Sequence, residues 1–449
     1  MSQVGNLDRQ LAVPEAFRVI DLYPKLDARR EVGVWSRRET LLAVLLIRAS
    51  IYIMGLVSLA AVSSPRQIDA TVASGTPWIA FDGNAYRDIL LHGYGAGPKI
   101  PYQIAYFPLF PYAARAFLPI CNSVFGTREG SAAAMLLFSN ICSLIGFVFF
   151  YEWARLYLSG RMASIATLLL ATYPGSVFFC AGLSEGPFLM LVAVALYLLG
   201  KKQFLAAAAV SALATFSRPT GIALACTVTA WTFYQSRALP TRRQLLKVAL
   251  IGALSCAGAV SYQCFLWHRY QSFNAYELAE NFYWDPHLTP SEITKQAISR
   301  DAFAQKGFVE YEASIGNPTA SSSADVDASI PRYSVAFFAN RLLKTQGWNR
   351  VIALALLVVL IAAYIRPVPI PRTLLILPLT IFLITYVPNW GLRASSMFRY
   401  ESASLPLFLV MANWLSVPSR RPLLFCICTC SMGLQLYYAF LFSRGMWVG

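Results

Sequence analysis

Charge is what this sequence has least of. Only 13% of its 449 residues are Asp, Glu, Lys or Arg, against 57% that are hydrophobic, and a soluble domain of that length could not cover itself with so little polar surface. The apolar runs also lack polar–apolar alternation, which excludes a membrane barrel. No GxGxxG or Walker pattern is present, so no nucleotide-binding loop is expected. Acidic residues are few, 22 against 37 basic, but neither a basic recognition helix nor an aromatic RNA-binding motif accompanies the surplus, and nucleic acid is not an expected partner. Nine cysteines, mostly inside apolar runs, make no disulfide framework. Cys426, Cys428 and Cys430 diverge around a helix and cannot converge on one ion, so they read as lipid-facing or packing residues.

What is present is a series of apolar helices. A bilayer core needs about 20 apolar residues per helix. Thr40 to Ala61, Ser131 to Tyr151 and Val248 to Leu266 meet that length. Basic clusters collect on the cytoplasmic side of membrane proteins. Placing them there gives eleven crossings: Thr40–Ala61, Ser131–Tyr157, Met162–Gly182, Pro187–Leu199, Phe204–Phe216, Gly221–Tyr234, Val248–Trp267, Val351–Ile365, Leu374–Val387, Ser404–Leu415 and Leu423–Phe442. Several of these are short, and Phe204–Phe216 and Gly221–Tyr234 are candidates for partial helices lining a polar cavity. The expectation is an all-α polytopic membrane protein with a cytoplasmic tail at 1–39, a membrane domain at 40–449, a first outer loop at 62–130 and a long outer loop at 268–348. The tail carries seven basic residues and no cleavable apolar core, which argues against a signal peptide.

Under this threading four polar features reach one face: "FDGNAYRDILLHGY" with "YFPLFP", "GLSEGP", "FSRPTG" and "NWGLRASSMFRYES". Ionisable residues at membrane depth cost about 2.5–3.5 kcal/mol each on insertion scales and are usually paired or functional. Asp82 has two open readings, a general base for a bound hydroxyl or an N-cap for the short helix that follows. Asp88 points elsewhere on that helix and reads as a solvent or salt-bridge residue. His92, with Gly93 and Tyr94, ends the helix; it reads as a cap-associated residue, with substrate contact as the alternative. "YFPLFP" cannot be regular helix throughout, because each Pro removes a donor, and it reads as an interfacial aromatic ledge including Tyr106 and Phe107. Arg218, Arg393 and Arg399 suit a lipid phosphate; the alternative is structural pairing with Glu185 or Glu401.

In order, "FDGNAYRDILLHGY … YFPLFP", "YPGSVFFCAGLSEGPF", "FSRPTG" and "FRYESASLPLF" resemble the PIG-V type mannosyltransferases, a GT-C family of multi-pass glycosyltransferases that includes bacterial members. The chain keeps Asp82, Tyr86, Gly93, Tyr94, Phe107, Pro108, Leu109 and Pro111 of the first motif, and departs at Phe81, Phe110 and Leu90-Leu91. Pro174, Ser176, Phe178, Ser184 and Glu185 match the second, and Arg218 and Gly221 the third. The resemblance implies a GT-C-like bundle whose outer loops carry the site. It implies inverting, metal-independent transfer of a sugar, mannose, from a polyprenyl-phosphate carrier to an extracytoplasmic glycan, lipid or protein acceptor. The family's essential acid maps onto Asp82; with it, the reading of the residues expects Arg218, Arg399 and Arg393 as phosphate ligands and Tyr86, His92, Tyr94, Tyr106, Phe107 and Glu185 as substrate contacts. No cofactor is implied, the membrane lipids are partners, and a bacterial plasma membrane fits better than the endoplasmic reticulum. Two other readings stand beside it: a transporter or flippase, and a GT-C enzyme for another sugar. An oligosaccharyltransferase would bring a metal site, which Asp82, Asp88 and Asp285 could supply.

Overall fold

The computed structural model describes residues 36–61, 77–95, 102–277, 279, 347–386, 397–445 and 448. Arg393, Asp285, almost all of the tail and most of the 268–348 loop lie outside them. Regular structure among the described residues is helical throughout. Helix α1, Arg37–Ala60, starts at a capping box in which Ser36 and Glu39 exchange side-chain and backbone bonds. Next come α2, Asp82–His92, and α3, Leu109–Arg115. Helix α4, Leu118–Ala154, is broken at Gly126 (φ 79°). Helices α5, Gly160–Thr172, α6, Glu185–Gly200, α7, Phe204–Ser217, α8, Gly221–Gln235, and α9, Thr241–Tyr270, follow. The last third holds α10, Gly347–Ile365, α11, Ile376–Tyr386, α12, Met397–Glu401, α13, Leu405–Leu415, and α14, Arg421–Ser443.

Each expected crossing overlaps a helix among the described residues, but the expected count of eleven is not reached on length. Four segments, Arg37–Ala60, Glu129–Ala154, Thr241–Tyr270 and Pro418–Ser443, are long and apolar enough to cross a membrane. Gly160–Thr172 and the 3-10 turn Pro174–Cys180 make a fifth only if a 77° bend is allowed within one span. Glu185–Gly200, Phe204–Ser217, Val351–Ile365, Arg372–Thr385 and Leu405–Leu415 are apolar but short. The chain is an integral membrane protein by these helices. "YFPLFP" is not helix throughout, as expected: Tyr106 to Pro108 lie outside regular helix, and a helix begins at Leu109 with Pro108 at its N-cap. Pro111 is tolerated because the first-turn N–H groups of a helix have no intrahelical partner to lose.

Two breaks set up the site, and proline dictates both. Residues before proline are pushed out of the α region. Tyr173 is accordingly extended (ψ 133°) before Pro174, which stops α5. Arg218 is extended (φ −158°, ψ 152°) before Pro219, which stops α7. Packing then draws these breaks together. Helix α6 lies on α4, where a Cβ at Gly186 would come within 2.4 Å of the Ser139 carbonyl oxygen. Helix α7 lies on α9, where a Cβ at Gly258 would come within 1.9 Å of the Ala212 carbonyl oxygen. The main core fills the space between α1, α4, α5, α6, α13 and α14 with Phe147, Phe150, Trp153, Phe178, Phe408 and Phe442, all buried.

The Pro174–Cys180 turn is irregular backbone inside the bundle, so its carbonyls need partners from neighbouring helices. Arg48, in the middle of α1 and buried, donates through Nη2 to the Phe179 carbonyl at 2.9 Å and to Asn140 Oδ1. The Tyr52 hydroxyl donates to the Cys180 carbonyl at 2.6 Å, and Ser143 of α4 donates to that of Phe179 at 3.2 Å. Ser139 does the same for Leu183 at 3.1 Å. No carboxylate pairs with Arg48 among the described residues.

Candidate functional site

Four charged side chains from four parts of the chain meet at the Asp82 end of α2. Glu185, the first residue of α6, stands where a helix dipole favours a negative charge. Its Oε1 accepts from Arg218 Nη1 at 2.6 Å and from Arg399 Nε. Arg399, carried on the one-turn α12, reaches on with Nη1 to Asp82 Oδ2 at 2.7 Å. The result is a chain Asp82–Arg399–Glu185–Arg218, with two positive and two negative groups. Charge-assisted bonds of this kind are roughly twice as strong as neutral ones.

Aromatic faces line the chain. The Arg218 guanidinium lies 5.1 Å from the Tyr400 ring centre and 5.9 Å from that of Phe188, and Arg399 lies 5.0 Å from that of Phe178. Tyr106 donates its hydroxyl to Asp82 Oδ1 at 3.2 Å. Burial pushes the Tyr106 phenol far above its usual range, and the neighbouring Asp82 carboxylate adds to the shift. That hydroxyl therefore remains a donor at any ordinary pH. Tyr86 supports the site from behind: its hydroxyl donates to Ser184 Oγ at 2.9 Å, and its ring stands edge-on to those of Tyr106 and Phe110.

Solvent access separates the four charges. The Asp82 side chain is 22% exposed, whereas those of Glu185 and Arg399 are 2% and 3% exposed. Glu185 and Arg399 line a small cleft together with Arg218, Thr220, Phe188, Tyr400 and Ser402. Such a site can receive a proton at Asp82 and present positive charge to an anion at Arg218.

Residues 108–262 match a family model described as dolichyl-phosphate-mannose-protein mannosyltransferase. That similarity runs from the residue before α3 into α9. Among solved structures, the chain is similar to the Archaeoglobus fulgidus oligosaccharyltransferase in complex with Zn and sulfate, at 14% identity over 90% of this chain and 53% of that one, with a TM-score of 0.47. It is similar too to the oligosaccharyltransferase of the same organism in complex with an inhibitory peptide and a dolichol-phosphate, at 13% identity over 91% and 56%, with a TM-score of 0.44. The chain thus spans about half the length of these proteins. Comparison with curated proteins gives no match.

Of the residues singled out in the sequence, Asp82, Tyr106, Glu185, Arg218 and Arg399 come together, with Tyr86 behind them. Three others do not. His92 sits at the far end of α2, about 15 Å along the helix axis from Asp82 at 1.5 Å per residue, exposed and paired with Asp88 at 2.8 Å. Tyr94 donates to the Tyr106 carbonyl at 2.5 Å and packs near Tyr262 and Phe265. Phe107 packs on Tyr262, with ring centres 4.6 Å apart. These two are core residues of a second aromatic cluster beside α9.

Asp82 is not an N-cap. It is the first residue of α2, the N-cap position belongs to Phe81, and no side chain caps the helix. Phe81 takes φ 57°, a strained conformation for a bulky side chain, directly before Asp82. Both arginines turn to Glu185, and among the described residues Arg399 forms no ion pair with Glu401, which two positions away on a helix points to another side. Asp88 is turned to His92 and Gln103, away from Asp82. Sequence reading did not find Arg48, whose only signal was a lone arginine in the middle of an apolar run.

Proposed function

We propose that the protein is a membrane glycosyltransferase of the GT-C class that moves a sugar from a polyprenyl-phosphate carrier to an extracytoplasmic acceptor. The observation that carries this reading is the partly exposed Asp82 carboxylate, oriented by Tyr106 and by Arg399, which itself lines a cleft with Arg218. The mannosyltransferase family model over residues 108–262 supports the same class. Mannose as the sugar, and PIG-V as the family, follow from the motif resemblance.

In the reaction, Asp82 takes the proton of the acceptor hydroxyl. The oxygen attacks the anomeric carbon from the face opposite the phosphate, the bond from that carbon to the phosphate oxygen breaks, and the configuration inverts. Proton transfer to such a base contributes about 10²–10⁴ in rate. The electron pair leaves with the carrier phosphate. Arg218 meets that charge: its Nη1 is on Glu185, and its planar fork has further donors for a phosphate. Arg399, engaged by both carboxylates, orients Asp82. Arg393 lies outside the described residues and stays a proposed phosphate ligand. The acceptor is a glycan, lipid or protein on the outer face of a bacterial plasma membrane, and the chemistry needs no metal.

Asp82→Asn tests the reading. Purified in detergent with a polyprenyl-phosphate mannose and a hydroxyl acceptor, the variant is expected to fold and bind donor but to lose transfer. Wild-type transfer is expected to survive a chelator. Transfer by Asp82→Asn within threefold of wild type removes Asp82 from the mechanism. Donor movement across vesicles without any glycoside formed would favour a flippase.

A further inference from the structure

We infer that Arg48 is a positioning residue for this site, acting through the Pro174–Cys180 turn. Arg48 never touches the charged cluster. Both hydrogens of its Nη2 are used, one on Asn140 Oδ1 and one on the Phe179 carbonyl. Asn140 is in turn fixed by its own amide, which donates to the Leu136 carbonyl at 2.8 Å. The held turn carries two parts of the site. Phe178, the residue before the anchored carbonyl, puts its ring under the Arg399 guanidinium. Glu185 follows six residues after Phe179 along a backbone pinned by Tyr52 at Cys180, by the Trp78 carbonyl at Gly182 and by Ser139 at Leu183.

Neutral donors already serve the other carbonyls of this segment, so hydrogen bonding alone does not call for a charge at position 48. Arginine brings two donors at a fixed angle on one rigid plane, which ties α1, α4 and the turn together at one point. A short side chain cannot reach both acceptors, and a lysine has the donors but neither the reach nor the rigid plane of the guanidinium. Loss of the tie leaves helix packing in place and lets the turn carry Phe178 and Glu185 off their lines to Arg399. Arg399 then no longer fixes Asp82.

The catalytic half of this inference rests on the reading of Asp82 given above; the structural half does not. Full-length Arg48→Met and Arg48→Lys in detergent are assayed for transfer from polyprenyl-phosphate mannose, with amide hydrogen exchange followed across 174–186. For Arg48→Met the expectation is faster exchange in 174–186 and a fall in kcat of tenfold or more. KM for donor stays within threefold. Arg48→Lys recovers part of kcat. A wild-type kcat in Arg48→Met overturns the inference, and so does a kcat loss that follows the folded fraction alone, with unchanged exchange. If Asp82→Asn keeps transfer while Arg48→Met loses it with faster exchange, the reading of Asp82 fails and the Arg48 link stands. If neither chain transfers sugar, exchange in 174–186 alone decides, and unchanged protection refutes the link.

Discussion

Removing the carboxylate shared by two arginines should cost more than removing either arginine. The Glu185 side chain is 2% exposed, Arg218 8% and Arg399 3%, so water screens none of them. Glu185→Gln leaves two buried guanidiniums facing one carboxylate, that of Asp82. Breaking a buried pair in this way costs about 3–5 kcal/mol. At about 1.4 kcal/mol per tenfold, that is two to four orders of magnitude in the folded-to-unfolded ratio. Arg218→Gln is milder, because Glu185 keeps Arg399; a lost bond to a charged group costs about 1.5–3 kcal/mol. The double variant Glu185→Gln with Arg218→Gln leaves the balanced Arg399–Asp82 pair. It should therefore be less destabilised than the sum of the singles, by about 1.5 kcal/mol or more, within the range seen for coupled neighbours. Denaturant unfolding in detergent micelles, followed by tryptophan fluorescence, reads all four corners of the cycle. Additivity within about 0.5 kcal/mol, the scatter expected of independent sites, would refute the coupled chain.

Two smaller tests bear on the edges of the site. Tyr106→Phe removes one neutral donor from Asp82 Oδ1, a loss of about 0.5–1.5 kcal/mol; transfer should fall a fewfold, and neither chain should show an alkaline limb from this phenol below about pH 10, because its ionisation is pushed upward. His92→Ala should leave donor KM and kcat unchanged, since His92 pairs with Asp88 at the exposed end of α2, and a tenfold loss of transfer would return it to the site.

The membrane class, the helices and the gathering of Asp82, Glu185, Arg218 and Arg399 at one place were legible because each leaves a local mark. Apolar run length marks a helix, proline marks a break, and a charge inside an apolar run marks a need for a partner. Which partner it takes was not legible. Arg399 chooses Glu185 over Glu401 because α12 is a single helical turn that turns neighbouring side chains apart, and no pattern in "FRYES" records how that turn sits on α6. Tyr94, Phe107 and His92 were drawn toward the site by closeness in sequence to Asp82, but α2 carries His92 away and the second aromatic cluster claims the other two. Arg48 was missed for a similar reason: its acceptors, Asn140 and the Phe179 carbonyl, are 92 and 131 residues distant, and one of them is backbone, which has no letter in the sequence.

The order in which the four charges are synthesised also follows from the chain of bonds. Glu185 and Arg218 lie on successive helices and can neutralise each other soon after both enter the membrane. Arg399 comes 214 residues after Glu185, a wait of roughly 10–40 s at 5–20 residues per second. During that interval Asp82 has no arginine, but it is the one charge of the four that stands against water. The nascent protein thus inserts its site as one neutral pair and one hydrated acid, and only the arrival of α12 closes the network. Arg48 is the exception: it is synthesised first of the five, its acceptors follow 92 and 131 residues later, and unlike Asp82 it is buried, so until then it depends on the insertion machinery holding α1 in place.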